Sequence, residues 1–342
     1  MSDSLRTSRL PLLVALTALA LGSALALTSG PVLSDWRLLV AGWLPGEWQG
    51  IEAIHLQVVQ EIRLPRLLLA AAVGCVLAQA GTATQTLCRN PLADPGLIGI
   101  SAGAAMFALA VIALGKGLGL TGSYWITGGA FIGALLATML VYRLAGGPRG
   151  VNIATVLLAG VAINAMAGAV IGLLSYYADD DALRLMSFWQ MGSLAGVTWQ
   201  QLPFGLLCMG ASSFMLWWRR RAINTLLLGE QQAQYLGVNT RQLKREIVIW
   251  VALGVGGAVA LTGMIGFVGL VVPHIARLLV GAPLPKMLPL AMCLGAAVLV
   301  FADWLARFIV APAEMPIGII TALLGAPFFI YLLVQQKRRL HA

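Results

Sequence analysis

The chain has 342 residues, of which 59% are hydrophobic and 10% charged, with a mean hydropathy of +0.88. That balance excludes a pair of soluble domains and points to a polytopic membrane protein. The formal net charge of +9 reads as a topology signal in so apolar a chain and requires no nucleic-acid partner.

A bilayer core of about 30 Å takes roughly 20 apolar residues per helix. The first apolar block, 10 to 29, follows Arg6 and Arg9; its near-spanning length predicts an uncleaved helix rather than a signal peptide. Further blocks follow at 64 to 86, 96 to 114, 124 to 145, 152 to 176, 201 to 218, 247 to 267, 286 to 308 and 316 to 334. A shorter one, 269 to 281, is interrupted by Pro273, His274 and Arg277. Lipid offers backbone groups no partners, so these blocks are expected to be helices. The predicted fold class is all-α, a polytopic membrane protein with about ten transmembrane helices forming a single transmembrane domain over 1–342. Glycine pairs four apart, Gly99 with Gly103, Gly129 with Gly133 and Gly168 with Gly172, suit closely packed backbones.

Lys and Arg orient the chain. With ten spans and a cytoplasmic N-terminus, sixteen of the 22 fall on inner segments, leaving Arg37, Arg63, Arg66, Lys116, Arg184 and Arg307 outside, the positive-inside pattern. A nine-span chain would put the basic tail Lys337, Arg338, Arg339 outside, so the interrupted block counts as a span and both termini are expected inside.

Polar residues gather at few places. CRNPLADPGLIGISAGA, 88 to 104, is expected as an inner turn in which Pro91 and Pro95 stop one helix and start the next, with Asp94 capping the third span. The longest inner loop, RRRAINTLLLGEQQAQYLGVNTRQLKRE (219 to 246), contains two short amphipathic pieces, about 222 to 228 and 230 to 236, broken by Gly229 and closed by Gly237. Its leucines 226 to 228 are expected to be exposed, as a partner surface or as a hairpin on anionic headgroups. Outside, Asp179, Asp180 and Asp181 suit the N-terminus of a short helix. Arg63 and Arg66 flank Leu64 and Pro65, and Arg307 lies one turn after Asp303; such a cluster offers a docking surface for acidic groups or an i, i+4 ion pair.

Little in the chain encodes bond-making chemistry. GISAG, 99 to 103, has the letters of the GxSxG elbow, but that motif needs a preceding strand. An intramembrane hydrolase would have to pair Ser101 with His274, which no orienting carboxylate accompanies. A secondary transporter would carry ionisable residues near the midplane, and only the spans holding His274, Arg277 and Asp303 have any. Cys75, Cys88, Cys208 and Cys293 lie singly, with neither disulfide nor zinc spacing.

Several strings, in order, resemble one family. RLPR (63–66), GCVLAQAGTATQTLCRNPLADPGLIGISAGA (74–104), LLLGEQQAQYLGV (226–238), GMIGFVGLVVPHIARLLVG (263–281) and AEMPIGIITALLGAPFFIYLL (313–333) resemble the membrane permeases of bacterial type II ABC importers, which serve siderophore, haem and vitamin B12 uptake. The resemblance covers nearly the whole chain from about residue 60. It implies a ten-helix subunit of the bacterial inner membrane, surrounded by lipid, that forms a homodimer with the pathway along its two-fold axis. Two ABC ATPase subunits dock below and one periplasmic substrate-binding protein docks above. The chain itself is then a permease and not an enzyme, with no cofactor or metal of its own; ATP and Mg belong to the partner ATPase. By the same resemblance Gly229, Glu230, Ala233, Leu236 and Gly237 fall in an ATPase-coupling hairpin at about 222–240, and Arg63, Arg66 and Arg307 fall where the binding protein docks. SYYADDDALRLMSFWQMGSL (175–194) is similar to the haem branch, ferric siderophore and cobalamin being the alternatives. Twelve methionines could help line an apolar pathway for so flat a substrate.

Overall fold

Small residues decide how the helices of this chain meet. In lipid no hydrophobic drive brings helices together, so close van der Waals packing must do it. The computed structural model describes residues 2–29, 37, 53–147, 150–311 and 313–340. The expected inner cation Arg149 lies outside the described residues.

The helices are α1 (Ser2–Thr28), α2 (Ala53–Gln57), α3 (Leu64–Cys88), α4 (Ile100–Leu118), α5 (Ser123–Ala145), α6 (Ile153–Tyr177), α7 (Asp180–Met191), α8 (Leu202–Thr225), α9 (Glu230–Tyr235), α10 (Thr240–Thr262), α11 (Val268–Val280), α12 (Leu284–Ile309) and α13 (Ile317–Leu340). A π turn, Val58–Arg63, joins α2 to α3 without a break. The expected all-α class holds, apart from a two-residue antiparallel ladder in which Gly146 faces Val151 and Gly147 faces Gly150.

Among the described residues, seven helices are long and apolar enough to cross a membrane, and Val268–Val280 and Ile317–Tyr331 are shorter apolar stretches. α8 spans 24 residues, but Arg219, Arg220 and Arg221, with its serines and tryptophans, dilute the hydropathy. Together these ten match the ten blocks expected. Some boundaries move. The second span begins earlier, at Ile54. The third begins later, at Ile100, because Gly99 adopts the left-handed conformation (φ 84°) and ends a 3-10 turn, Pro95–Ile98. Asp94 caps that turn and not the third span, its Oδ1 accepting from the Gly96 N–H at 2.7 Å. α10 stops at Thr262 because Gly263, at φ 69°, turns the chain.

α3 runs through the middle, with α10 and α12 the next most buried. A Cβ on Gly74 would collide with the carbonyl oxygen of Gly295 on α12, and one on Gly81 with that of Gly269 on α11. α4 and α5 meet in the same way, each of Gly103 and Gly133 lying against the other's carbonyl. The hydroxyls of Thr82 and Thr86 are satisfied within α3 by donating to Ala78 O and Thr82 O, each at 2.8 Å, the i−4 bond that lets threonine sit in a buried helix. The side-chain amides of Gln79 and Gln85 reach across to Ser213 O on α8 (2.9 Å) and Leu270 O on α11 (3.3 Å).

Candidate functional site

Two polar clusters mark the two ends of α3 and α12. α3 has 25 residues, so at 1.5 Å per residue its ends are roughly 37 Å apart.

At the first end, α1 stops at Thr28 and leaves its final carbonyls without helical partners. Two of the expected docking arginines fill them. Arg63 Nη1 donates to Leu27 O at 2.7 Å, and Arg307 Nη1 donates to Ala26 O at 3.2 Å. Cations at a helix C-terminus also complement its dipole. The third arginine is bound by acids. Arg66 Nε donates to Asp303 Oδ1 at 2.8 Å, and its Nη1 reaches both oxygens of Glu314, at 2.9 and 2.8 Å. Arg307 Nη2 lies 3.4 Å from the other Asp303 oxygen, which is the i, i+4 pairing the spacing allows. The structure thus brings Arg63, Arg66 and Arg307 together, but all three are buried rather than displayed. Their side chains tie α1, α3 and α12 to one another. Trp304 Nε1 adds a bond to Ser29 Oγ at 2.8 Å.

At the other end, α8 runs on to Thr225, a 3-10 turn covers Leu226–Leu228, and α9 follows as a short helix. Of the three leucines expected to be exposed, Leu226 is buried, because the 3-10 turn directs it inward beneath the hairpin, while Leu227 and Leu228 are exposed. Gly229 has φ 112°, a conformation that suits glycine, and an added Cβ would strike the Gln232 side chain. The Arg89 guanidinium lies 3.8 Å from that Cβ position, so the turn containing CRNPLADPG touches the bend of the hairpin. Arg89 is itself left-handed, at φ 48°, and ends α3. Ala233 is fully buried and anchors α9, whereas Tyr235 (88% exposed) and Leu236 stand out from it. Gly237, at φ 83°, turns the chain with open space around it, and Asn239 caps α10 by accepting from the Gln242 N–H at 3.0 Å. Glu230 pairs with Lys244 on α10, and Arg219 on α8 pairs with Glu246 at 2.8 Å. The Asn224 carboxamide oxygen accepts from the Leu284 N–H at 2.9 Å, joining the hairpin to the start of α12.

Beside the inner cluster, Asp94 in the loop after α3 is half-buried. Burial pushes its carboxyl above the ordinary carboxylate range, against the opposing pull of the Gly96 N–H bond. Asp179 caps α7 as its position suggests, accepting from the Ala182 N–H at 2.8 Å, with Asp180 and Asp181 in the first turn. Ser101 lies inside α4, with a 3-10 turn and not a strand before it, so GISAG serves helix packing. His274 meets the Phe328 ring at 6.3 Å between centroids. Two partners escape sequence reasoning. Glu314 stands 248 residues from Arg66, and Lys244 looks like one more cation in the basic run from Arg241 to Arg245. Glu314 could have been found, since acids are few here, 13 in 342 residues.

A family model described as the FecCD transport family matches residues 12–335. The chain is 44% identical over 329 residues to the hemin transport system permease protein HmuU of Yersinia pestis, covering 96% of this chain and 95% of that protein. It is 40% identical over 291 residues to the vitamin B12 import system permease protein BtuC of Vibrio cholerae, covering 84% of this chain and 85% of that one. A solved structure described as an inward-facing conformation of a metal-chelate type ABC transporter matches with a TM-score of 0.83 at 30% identity, over 95% of this chain and 98% of that one.

Proposed function

The chain belongs to the FecCD transport family, and from that premise we propose that it carries haem across the bacterial inner membrane as the permease subunit of an ATP-driven importer, by alternating access. It is an ABC importer permease, a transport component rather than an enzyme. The observation that carries the haem reading is the 44% identity to a hemin permease along almost the entire chain. The exposed apolar and thioether side chains of α6, among them Leu158, Met166, Leu173 and Tyr176, suit a pathway that passes a flat apolar substrate without holding it.

In this reading the inner hairpin is where an ATPase pushes. Gly229 and Gly237 bound a rigid piece; Ala233 fixes it to the body, Leu236 faces the partner, and the pair of Glu230 with Lys244 passes movement to α10. ATP and Mg are held by that separate subunit, and differential contacts of nucleotide with the two states drive the shift. The outer cluster of Arg63, Arg66 and Arg307 receives the periplasmic binding protein. Two copies of the chain, two ATPase subunits and one binding protein make the assembly. The sixteen-to-six split of Lys and Arg supports inner-membrane insertion with both termini cytoplasmic. Dimerisation through α6 is supported by Gly168 and Gly172, whose Cβ positions meet nothing within 4 Å, unlike the glycine contacts that hold α3, α4 and α5 in place.

Substrate is tested by reconstituting the chain with its ATPase and binding protein in liposomes and following haem, cobalamin and a ferric siderophore in competition. Haem is expected to enter on ATP addition and resist the other two. Entry of cobalamin without haem would replace the haem reading by the cobalamin one.

A further inference from the structure

The Arg66 guanidinium is held by two carboxylates of unlike standing. Asp303, with a side chain 3% exposed, takes Nε from within the bundle, whereas Glu314, 44% exposed, takes Nη1 from the loop between α12 and α13. Breaking the buried pair with Asp303 strands a charge; the pair with Glu314 is open on its carboxylate side alone, where water or another anion can compete for the guanidinium. Arg63 and Arg307 offer less to an incoming partner, because each donates to a carbonyl of α1. We propose that Glu314 is a built-in placeholder for a carboxylate of the docking protein: it keeps the outward arm of Arg66 occupied and oriented until the partner's acid displaces it. The inference rests on the outer face being the docking site. It assigns Arg66 as the exchanging cation and Glu314 as the competitor that sets docking strength, with Asp303 holding the guanidinium in its docking orientation.

The test titrates the purified substrate-binding protein of the same import system against the full chain in lipid nanodiscs. Glu314→Gln is expected to tighten binding about three- to five-fold at low salt, with the gain shrinking as salt rises. Arg66→Lys keeps a cation for Asp303 but loses the fork that serves two acids at once; in that background Glu314→Gln should give no gain. An unchanged or weaker affinity for Glu314→Gln overturns the placeholder while leaving docking intact. A gain that persists with Arg66→Lys also overturns it, because removing any negative charge near an acidic partner would then suffice. No binding by the unaltered chain would sink the docking reading itself, and the placeholder with it.

Discussion

Glu230 on the inner hairpin is paired with Lys244 on α10, and the two differ in exposure: the ammonium is 8% exposed and the carboxylate 41%. A surface acid thus reaches a nearly buried cation at the start of a 23-residue helix. Glu230→Lys replaces attraction by repulsion and should leave ATP hydrolysis running while substrate uptake per ATP falls, on the order of ten-fold if about 1.4 kcal/mol of coupling is lost. Parallel assays of phosphate release and uptake check it; undiminished uptake would mean that this pair transmits nothing.

At Gly237 the backbone is left-handed and the surroundings are open. Gly237→Ala should therefore cost only the backbone strain, about 1 to 2 kcal/mol locally, with the fold kept. Gly237→Trp projects a bulky ring beside Leu236 and should in addition weaken ATPase binding to the chain in a pull-down of purified subunits.

Asp303 serves two arginines, so Asp303→Ala leaves the buried Arg307 without an acid and Arg66 with Glu314 alone. A loss of about 3 to 5 kcal/mol is expected, read as a large fall in melting temperature in detergent. Asp303→Asn, which keeps an acceptor for Arg66, should fall between the unaltered chain and Asp303→Ala. A melting temperature unchanged by both substitutions would show that the network does not hold α3 to α12.

Gly168 and Gly172 make a contrasting pair with Gly81. Leucine at 168 or 172 meets open space within the chain and should spare the monomer while loosening the dimer, seen by cross-linking or mass photometry. Alanine at 81 runs into Gly269 and should unfold the monomer instead.

Asp94 carries a pH signature. Its folded carboxyl titrates above its unfolded value because burial favours the neutral acid. The native state therefore binds this proton more readily than the unfolded one, and the group's contribution is most favourable at low pH. That contribution falls as pH rises through the raised value and stays low above it. Asp94→Asn keeps an oxygen for the Gly96 N–H and should raise stability at neutral pH while flattening this dependence; thermal melts between about pH 4 and pH 7 check it.

Much of this was legible in the sequence, and the reasons differ by element. Length and apolarity located the ten helices that match the apolar blocks, seven of them long and apolar enough to span, because lipid leaves an apolar block of about 20 residues the helix as its backbone solution. The α7 start and the inner turn followed from local cap chemistry at Asp179 and Pro95. Local patterns could not foretell that Leu226 turns inward, since the 3-10 turn depends on packing beneath the hairpin. They equally missed that Arg63, Arg66 and Arg307 are buried: their partners at Leu27, Ala26, Asp303 and Glu314 come from segments distant in sequence, and only the fold assembles them. The π turn before α3, which carries Arg63 to the end of α1, left no mark in composition.

In the proposed mechanism ATP drives transport through a separate subunit that pushes the inner hairpin. Its most direct measurement is haem uptake into liposomes holding the chain with and without its ATPase, under ATP and under an imposed ion gradient. Uptake is predicted only with the ATPase and ATP together, and uptake per ATP is predicted to fall about ten-fold in Glu230→Lys while hydrolysis continues. Uptake by the chain alone, driven by the ion gradient, would contradict the account.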